Sequence, residues 1–123
     1  MADAAFFGVL YIQDDYVRVT GLRIENTHAE PAGGADQVLG IQSRPAAPFE
    51  VRLSHNIIRA TGSVALSAHT WQDCGLYQFS GGGVLKAWNN LIYGFGSGIA
   101  SEYVNTGTYA LYNNTVADYA DTG

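Results

Sequence analysis

A repeated pattern of apolar residues constrains the fold of this chain most. Four segments align with one another: residues 16–26 (YVRVTGLRIEN), 50–60 (EVRLSHNIIRA), 84–94 (VLKAWNNLIYG) and 108–118 (TYALYNNTVAD). In each segment apolar residues alternate, the phase then shifts by one residue, and the alternation resumes. Because alternation with a period of two is typical of β-strands, each segment predicts two strands separated by a sharp bend. Repeats that share one core in this way indicate a solenoid.

The bend position carries Leu22 in the first repeat and Asn in the other three, as Asn56, Asn90 and Asn114. Asn tolerates left-handed backbone angles, and its amide can bond neighbouring backbone groups. In a parallel stack with strands about 4.8 Å apart, identical Asn side chains can also bond one another. These three residues therefore predict an Asn ladder.

The remaining apolar segments predict another face of each coil. They are expected to form a second parallel sheet from residues 8–12, 38–42, 63–67 and 98–102. Residues 27–37 and 69–83 are interpreted as loops. The apolar residues expected to face inward in the four repeats are Val17, Val19, Leu22 and Ile24; Val51, Leu53 and Ile58; Leu85, Ala87 and Ile92; Tyr109, Leu111 and Val116.

Composition agrees with an all-β chain. Apolar residues make up 47% of the sequence, and there are 15 Gly, 3 Pro and few charged residues, which favours strands and turns over helices. We expect residues 1–123 to form a single domain of about four coils. The last residues stop partway round a coil, so we expect the domain to be truncated at its C-terminal end.

A family resemblance follows from these residues. The run at residues 15–26 (DYVRVTGLRIEN), together with HNII at 55–58 and NNLI at 89–92, resembles the pectate-lyase-like right-handed parallel β-helix superfamily. The resemblance implies a right-handed parallel β-helix and favours an extracellular or virion-surface location.

The resemblance also raises the question of catalysis. Lyases of this superfamily use a Ca²⁺ site of clustered carboxylates, and its hydrolases use converging Asp residues. The acids in or beside the repeats do not align as Asp pairs; they are Asp15, Glu25, Glu50, Glu102 and Asp118. The catalytic residues therefore stay unknown, and we expect no cofactor, with Ca²⁺ only if the chain is a lyase.

A row of cations is expected on the first strand of each repeat. The outward position holds Arg18, Arg52 and Lys86, followed by Ala110. Like charges about 5 Å apart in water repel by about 1 kcal/mol, so the row needs a bound anion or acidic neighbours. Glu25 and Glu50 are the candidates for neutralisation, and an anion-binding groove is the alternative.

Aromatic residues occupy the next outward position of the last two repeats. This position runs Thr20, Ser54, Trp88 and Tyr112. An aromatic face beside cations can bind a sugar, because a pyranose presents apolar C–H groups to the ring and polar groups to the charges. Alternatively, stacked aromatics stabilise the outside of a solenoid.

The net charge, the lack of a long apolar span and the spacing of the His and Cys residues argue against nucleic acid, membrane and metal ions as partners. Six basic against eleven acidic residues give a formal charge of −5, which argues against nucleic acid. The sequence has no apolar span for a membrane and shows no signal peptide. His28, His55, His69 and Cys74 lack metal-ligand spacing, so no metal is expected.

These features predict a carbohydrate-recognition or surface-adhesion module that binds polysaccharide, a remnant or fragment of a polysaccharide-active or tailspike-like protein. One alternative is a structural solenoid. Because neither end offers a recognisable cap, it would self-assemble through its open ends as a homo-oligomer. Another alternative is an autonomous polysaccharide lyase or hydrolase.

Overall fold

The strands of the protein follow the sequence repeats. The computed structural model describes residues 6–28, 37–62, 73–79, 81–102 and 106–117, and all regular structure in these residues is β. No helix among them is long and apolar enough to span a membrane. The strands are β1 Phe6–Ile12, β2 Val17–Thr20, β3 Arg23–Asn26, β4 Gln37–Ser43, β5 Glu50–Ser54, β6 Ile57–Ala60, β7 Cys74–Gln78, β8 Val84–Trp88, β9 Leu91–Tyr93, β10 Ser97–Ser101, β11 Thr108–Tyr112 and β12 Thr115–Ala117.

These strands form three parallel sheets of four strands each. The first sheet has the order β1-β4-β7-β10, the second β11-β8-β5-β2 and the third β12-β9-β6-β3. Successive members of each sheet are three strands apart in the chain, and all pairs are parallel. The prediction of an all-β chain with stacked parallel strands is confirmed.

Strand register follows the alignment of the repeats. Val17 pairs with Val51, Val51 with Leu85, and Leu85 with Tyr109. Residues from all three sheets share one apolar cluster, in which Val51, Leu53 and Ile58 are fully buried. Because the apolar set of a strand faces one side only, this shared cluster fixes the register.

The bend of each repeat is made by the residue before the Asn position. Its backbone is left-handed in every repeat, with φ of 72° at Gly21, 56° at His55, 54° at Asn89 and 53° at Asn113. Asn56, Asn90 and Asn114 directly follow these bend residues and are not left-handed themselves. The bend also assigns the two strands of each repeat to different sheets, which is why there are three sheets.

The first sheet differs from its prediction in one strand. Its third member is Cys74–Gln78, within the segment interpreted as a loop, and Gln37 likewise begins β4. Every residue of β4 and β7 is buried, so these strands lack the alternation of a half-exposed strand. Residues 63–67, expected to be this strand, lie outside the described residues.

Three glycines of the first sheet pack against a column of aligned apolar residues in the third sheet, formed by Ile58, Ile92 and Val116. A Cβ on each glycine would overlap the side chain of one residue of that column. The pairs are Gly40 with Ile58, Gly75 with Ile92, and Gly98 with Val116. The two sheets can approach this closely because these positions carry no side chain.

Three residues expected to face inward are exposed. Leu22, Leu111 and Val116 are 48%, 45% and 37% exposed. The strands β2 and β3 end their sheets on one side, and β11 and β12 end them on the other. Residues at these edges therefore have a described neighbouring strand on one side only, which leaves their side chains less covered than those of the middle repeats.

Candidate ligand-binding face

The basic residues lie in register on the second sheet. Arg18 pairs with Arg52, Arg52 with Lys86, and Lys86 with Ala110. Arg18 and Arg52 are exposed, and Lys86 is partly buried. We call Arg18, Arg52 and Lys86 the basic row.

Glu50 neutralises part of the basic row. Its Oε1 accepts hydrogen bonds from Arg52 Nε at 2.5 Å and from Lys86 Nζ at 3.2 Å. The bond from Arg52, followed by that from Lys86, lowers the pKa of Glu50 below its ordinary value. The Glu50 carboxylate therefore forms ion pairs with two of the three cations and holds the Arg52 side chain in place.

Glu25, the other expected counter-ion, lies in the third sheet. Its Oε2 accepts a hydrogen bond from Arg59 Nη2 at 2.7 Å, and its Oε1 accepts one from Thr61 Oγ1 at 3.2 Å. Glu25 pairs with Arg59 in the strand register as well. The expectation that Glu25 neutralises the basic row is wrong, because its own sheet supplies a closer cation.

Arg18 remains without a counter-ion within the residues described. It lines a concavity of about 210 Å³ together with Tyr16, Val17, Glu50 and Arg52. The uncompensated positive charge of the basic row therefore lies at this end, beside open space.

Tyr16 is a member of this concavity that sequence reasoning missed. Its φ is 61° and the residue is 74% exposed. A left-handed backbone costs a residue other than glycine about 1–2 kcal/mol, and it is uncommon for a bulky residue. The ring is thus held at the surface in a strained conformation, a feature that clusters at functional sites. No sequence pattern marks this backbone angle.

The two aromatics of the next row stack on each other. Trp88 and Tyr112 are register partners, with ring centroids 5.8 Å apart and planes 10° from parallel. Tyr112 is 50% exposed. At the other end of this row Ser54 Oγ donates a hydrogen bond to Thr20 Oγ1 at 3.1 Å. The second sheet therefore presents cations and an aromatic stack on one face.

The acidic residues do not form a calcium site in the described part of the chain. No three His, Cys, Asp or Glu residues there are grouped so that they could hold a metal ion. Glu25 and Glu50 are bound to cationic side chains, and Glu102 accepts a hydrogen bond from Tyr77 Oη. Since Ca²⁺ needs several carboxylate and carbonyl oxygens together, these residues do not fit a lyase-type calcium centre. Asp118 lies outside the described residues.

Comparisons with family models, with curated proteins and with solved structures give no match for this chain.

Proposed function

We propose that the chain is a right-handed parallel β-helix of about four coils, related to the pectate-lyase-like superfamily, that recognises acidic polysaccharide on its second sheet. Three parallel sheets whose members recur every third strand support the coil arrangement. Parallel crossover connections are right-handed in about 98% of cases, which supports the handedness. An extracellular or virion-surface setting, within a polysaccharide-active or tailspike-like protein, forms part of this proposal.

The observation that carries the proposed recognition is the strand register of the second sheet. It aligns three cations in one row and places Trp88 and Tyr112 in the next row of the same face. A polymer lying along such a face could pair its anionic groups with the cations. Its sugar rings could pack against the aromatic stack.

The charge balance of the row supports an anionic ligand. Glu50 bonds to Arg52 and Lys86, while Arg18 has no counter-ion among the residues described. A guanidinium group offers paired N–H donors that match a carboxylate or sulfate group. A uronate carboxylate at the concavity would reach Arg18 and the terminal nitrogens of Arg52, with Glu50 holding the Arg52 guanidinium in position.

Tyr16 supports a sugar at the same concavity. Its exposed ring borders the space lined by Arg18 and Arg52. A pyranose whose carboxylate meets the arginines would bring its apolar C–H face to this ring. The strained backbone of Tyr16 then has a function, because it presents the ring beside the cations.

Calorimetric titration with an oligogalacturonate tests this proposal. We expect binding at low ionic strength, a weaker affinity in added salt, and at least about tenfold weaker binding by Arg18→Gln. A neutral galactan oligomer is the ligand control. Arg23→Gln is the matched variant, since Arg23 is an exposed arginine on the third sheet. No binding of the acidic oligomer, or equal losses in both variants, would overturn the proposal.

A second candidate function is self-assembly through the sheet edges. It is favoured by the exposure of Leu111 and Val116 on β11 and β12, which pair with described strands on one side only. Exposed apolar edge strands template pairing with another chain. Sedimentation velocity of the wild type and of Leu111→Lys tests this: assembly that the charged edge abolishes would support it, and a concentration-independent monomer would contradict it.

A further inference from the structure

The first sheet carries a second concavity, away from the basic row. Its volume is about 330 Å³, and its lining residues are Gly8, Tyr11, Gln42 and Arg44. Tyr11 of β1 and Gln42 of β4 are register partners. Arg44 follows β4 directly, where its backbone N–H donates to the carbonyl of Ile12 at 2.8 Å. These four residues therefore lie on the neighbouring strands β1 and β4 or directly after β4.

Gln42 brings a side-chain amide to this concavity. The residue is 7% exposed, yet its side chain makes no hydrogen bond to any residue that the structure describes. Its amide atoms are not among the fully buried polar atoms that lack a partner, so the amide reaches solvent through the concavity. Here the amide group borders open space, where a ligand could accept from its nitrogen and donate to its oxygen.

Arg44 brings a fixed positive charge. Its guanidinium carbon lies 4.1 Å above the centre of the Phe79 ring. A cation–π contact of this kind does not use the N–H donors of the guanidinium group in hydrogen bonds, and Arg44 makes no side-chain hydrogen bond to the residues that the structure describes. None of the described lining residues is acidic, and Arg44 makes no ion pair within the described ranges. The concavity is therefore suited to an anionic group.

Tyr11 and Gly8 give the concavity its shape. Tyr11 is 47% exposed and provides an aromatic wall. Among the described residues, a Cβ on Gly8 would meet the Cβ of Leu39 alone, at an ordinary contact distance of 3.8 Å. A volume of about 330 Å³ accommodates a ligand of about one sugar ring.

We propose that this concavity binds a single sugar acid, a hydroxylated ring that bears a carboxylate. The Arg44 guanidinium pairs with the carboxylate, the Gln42 amide bonds a ring hydroxyl, and the Tyr11 ring packs against the C–H face. This site is separate from the basic row and does not depend on it. Either proposal can fail alone.

Titration of the protein with glucuronate, followed by saturation-transfer NMR and calorimetry, tests the proposal. Glucose tests whether the carboxylate is needed, and acetate tests whether the ring is needed. We expect glucuronate to bind at least about tenfold more tightly than either. Equal affinity for acetate would reassign the site as a simple anion site and overturn the proposal, and so would the absence of glucuronate binding at millimolar concentration.

Two variants assign the binding to these residues. Arg44→Gln removes the charge and should weaken glucuronate binding at least about tenfold, whereas Arg23→Gln on the third sheet should not. Tyr11→Ala changes an exposed side chain and provides a second test should Arg44→Gln unfold. Glucuronate binding that neither variant weakens would overturn the proposal. Oligogalacturonate binding by Arg44→Gln measures the basic row separately.

Discussion

Asn56 donates a hydrogen bond from Nδ2 to Oδ1 of Asn90 at 3.0 Å, and the backbone N–H of Asn56 donates to the same oxygen at 3.1 Å. Asn90 bonds to Oδ1 of Asn114 in the same two ways, at 2.9 and 3.1 Å. Each Nδ2 also donates to a backbone carbonyl, that of Val19, Leu53 or Ala87. The bends of the last three repeats are thus joined by one directional chain of hydrogen bonds.

Loss of the central amide should destabilise the protein strongly. Asn90→Ala removes the partner of the Leu53 carbonyl and the acceptor of both Asn56 donors. Asn90 is 2% exposed, so these groups stay buried without partners. We expect the free energy of unfolding to fall by about 3 kcal/mol, as measured by urea denaturation.

Asn89→Gly is the matched control for that experiment. Asn89 is exposed and has a φ of 54°, so alanine would add backbone strain there while glycine would not. We expect a change of less than about 1 kcal/mol, through loss of the contact with His55. Equal destabilisation by Asn90→Ala and Asn89→Gly would contradict the role of the amide chain.

The stability of the protein should be sensitive to one methyl group added between the first and third sheets. Gly75→Ala would drive its Cβ into Ile92 and should destabilise the protein by about 1–3 kcal/mol, measured by thermal and urea denaturation. Gly8→Ala is the control in the same sheet, because its Cβ would make only ordinary contact. In an Ile92→Ala background the cost of Gly75→Ala should shrink, and an unchanged cost would exclude this contact as its cause.

The ion pair between Glu25 and Arg59 should make stability depend on pH. The hydrogen bond from Arg59 is the main cause that lowers the pKa of Glu25 below 4.5 in the folded protein. A lowered folded pKa adds stability above pH 4.5, and this contribution disappears as the pH falls through the lower folded value. The difference in unfolding free energy between wild type and Glu25→Gln should therefore be constant near neutral pH and shrink in acid. A difference that grows in acid would contradict the pairing.

Tyr16 offers a test that separates binding from stability. Tyr16→Gly relieves a left-handed backbone and removes the side chain of a residue that is 74% exposed. We expect unchanged or slightly higher stability in urea, together with weaker oligogalacturonate binding. Binding equal to that of the wild type would remove Tyr16 from the proposed site.

Alternation made the register of the second and third sheets predictable. Val51 and Leu53 are buried and alternate with the more exposed Glu50 and Arg52, because one face of the strand lies against the core. The strand Cys74–Gln78 could not be found in this way, since burial on both faces removes the alternation. The repeats aligned Asn56, Asn90 and Asn114 but did not reveal the left-handed residue before each of them, because no single residue type marks that position.

The sequence predicted which residues of the candidate site align across neighbouring strands, but it did not predict which side chains contact one another. Strand register follows from the repeats, so Arg18, Arg52 and Lys86 could be aligned from the sequence. The choice of Glu50 rather than Glu25 as counter-ion depends on side-chain reach between sheets. The sequence placed the strands of Tyr11 and Gln42 in one sheet, but the pairing of these two residues depends on the exact register of β1 against β4, which no local pattern records.

The most direct test of the proposed recognition face is residue-resolved NMR of the isotope-labelled protein titrated with oligogalacturonate. The titration uses the Arg44→Gln variant, so that the charge of the second concavity is absent. We expect shifts concentrated at Arg18, Arg52 and the Trp88 indole N–H, and these shifts should disappear in high salt. Shifts confined to the third sheet, or no shifts at low ionic strength, would contradict recognition of acidic polysaccharide by the second sheet.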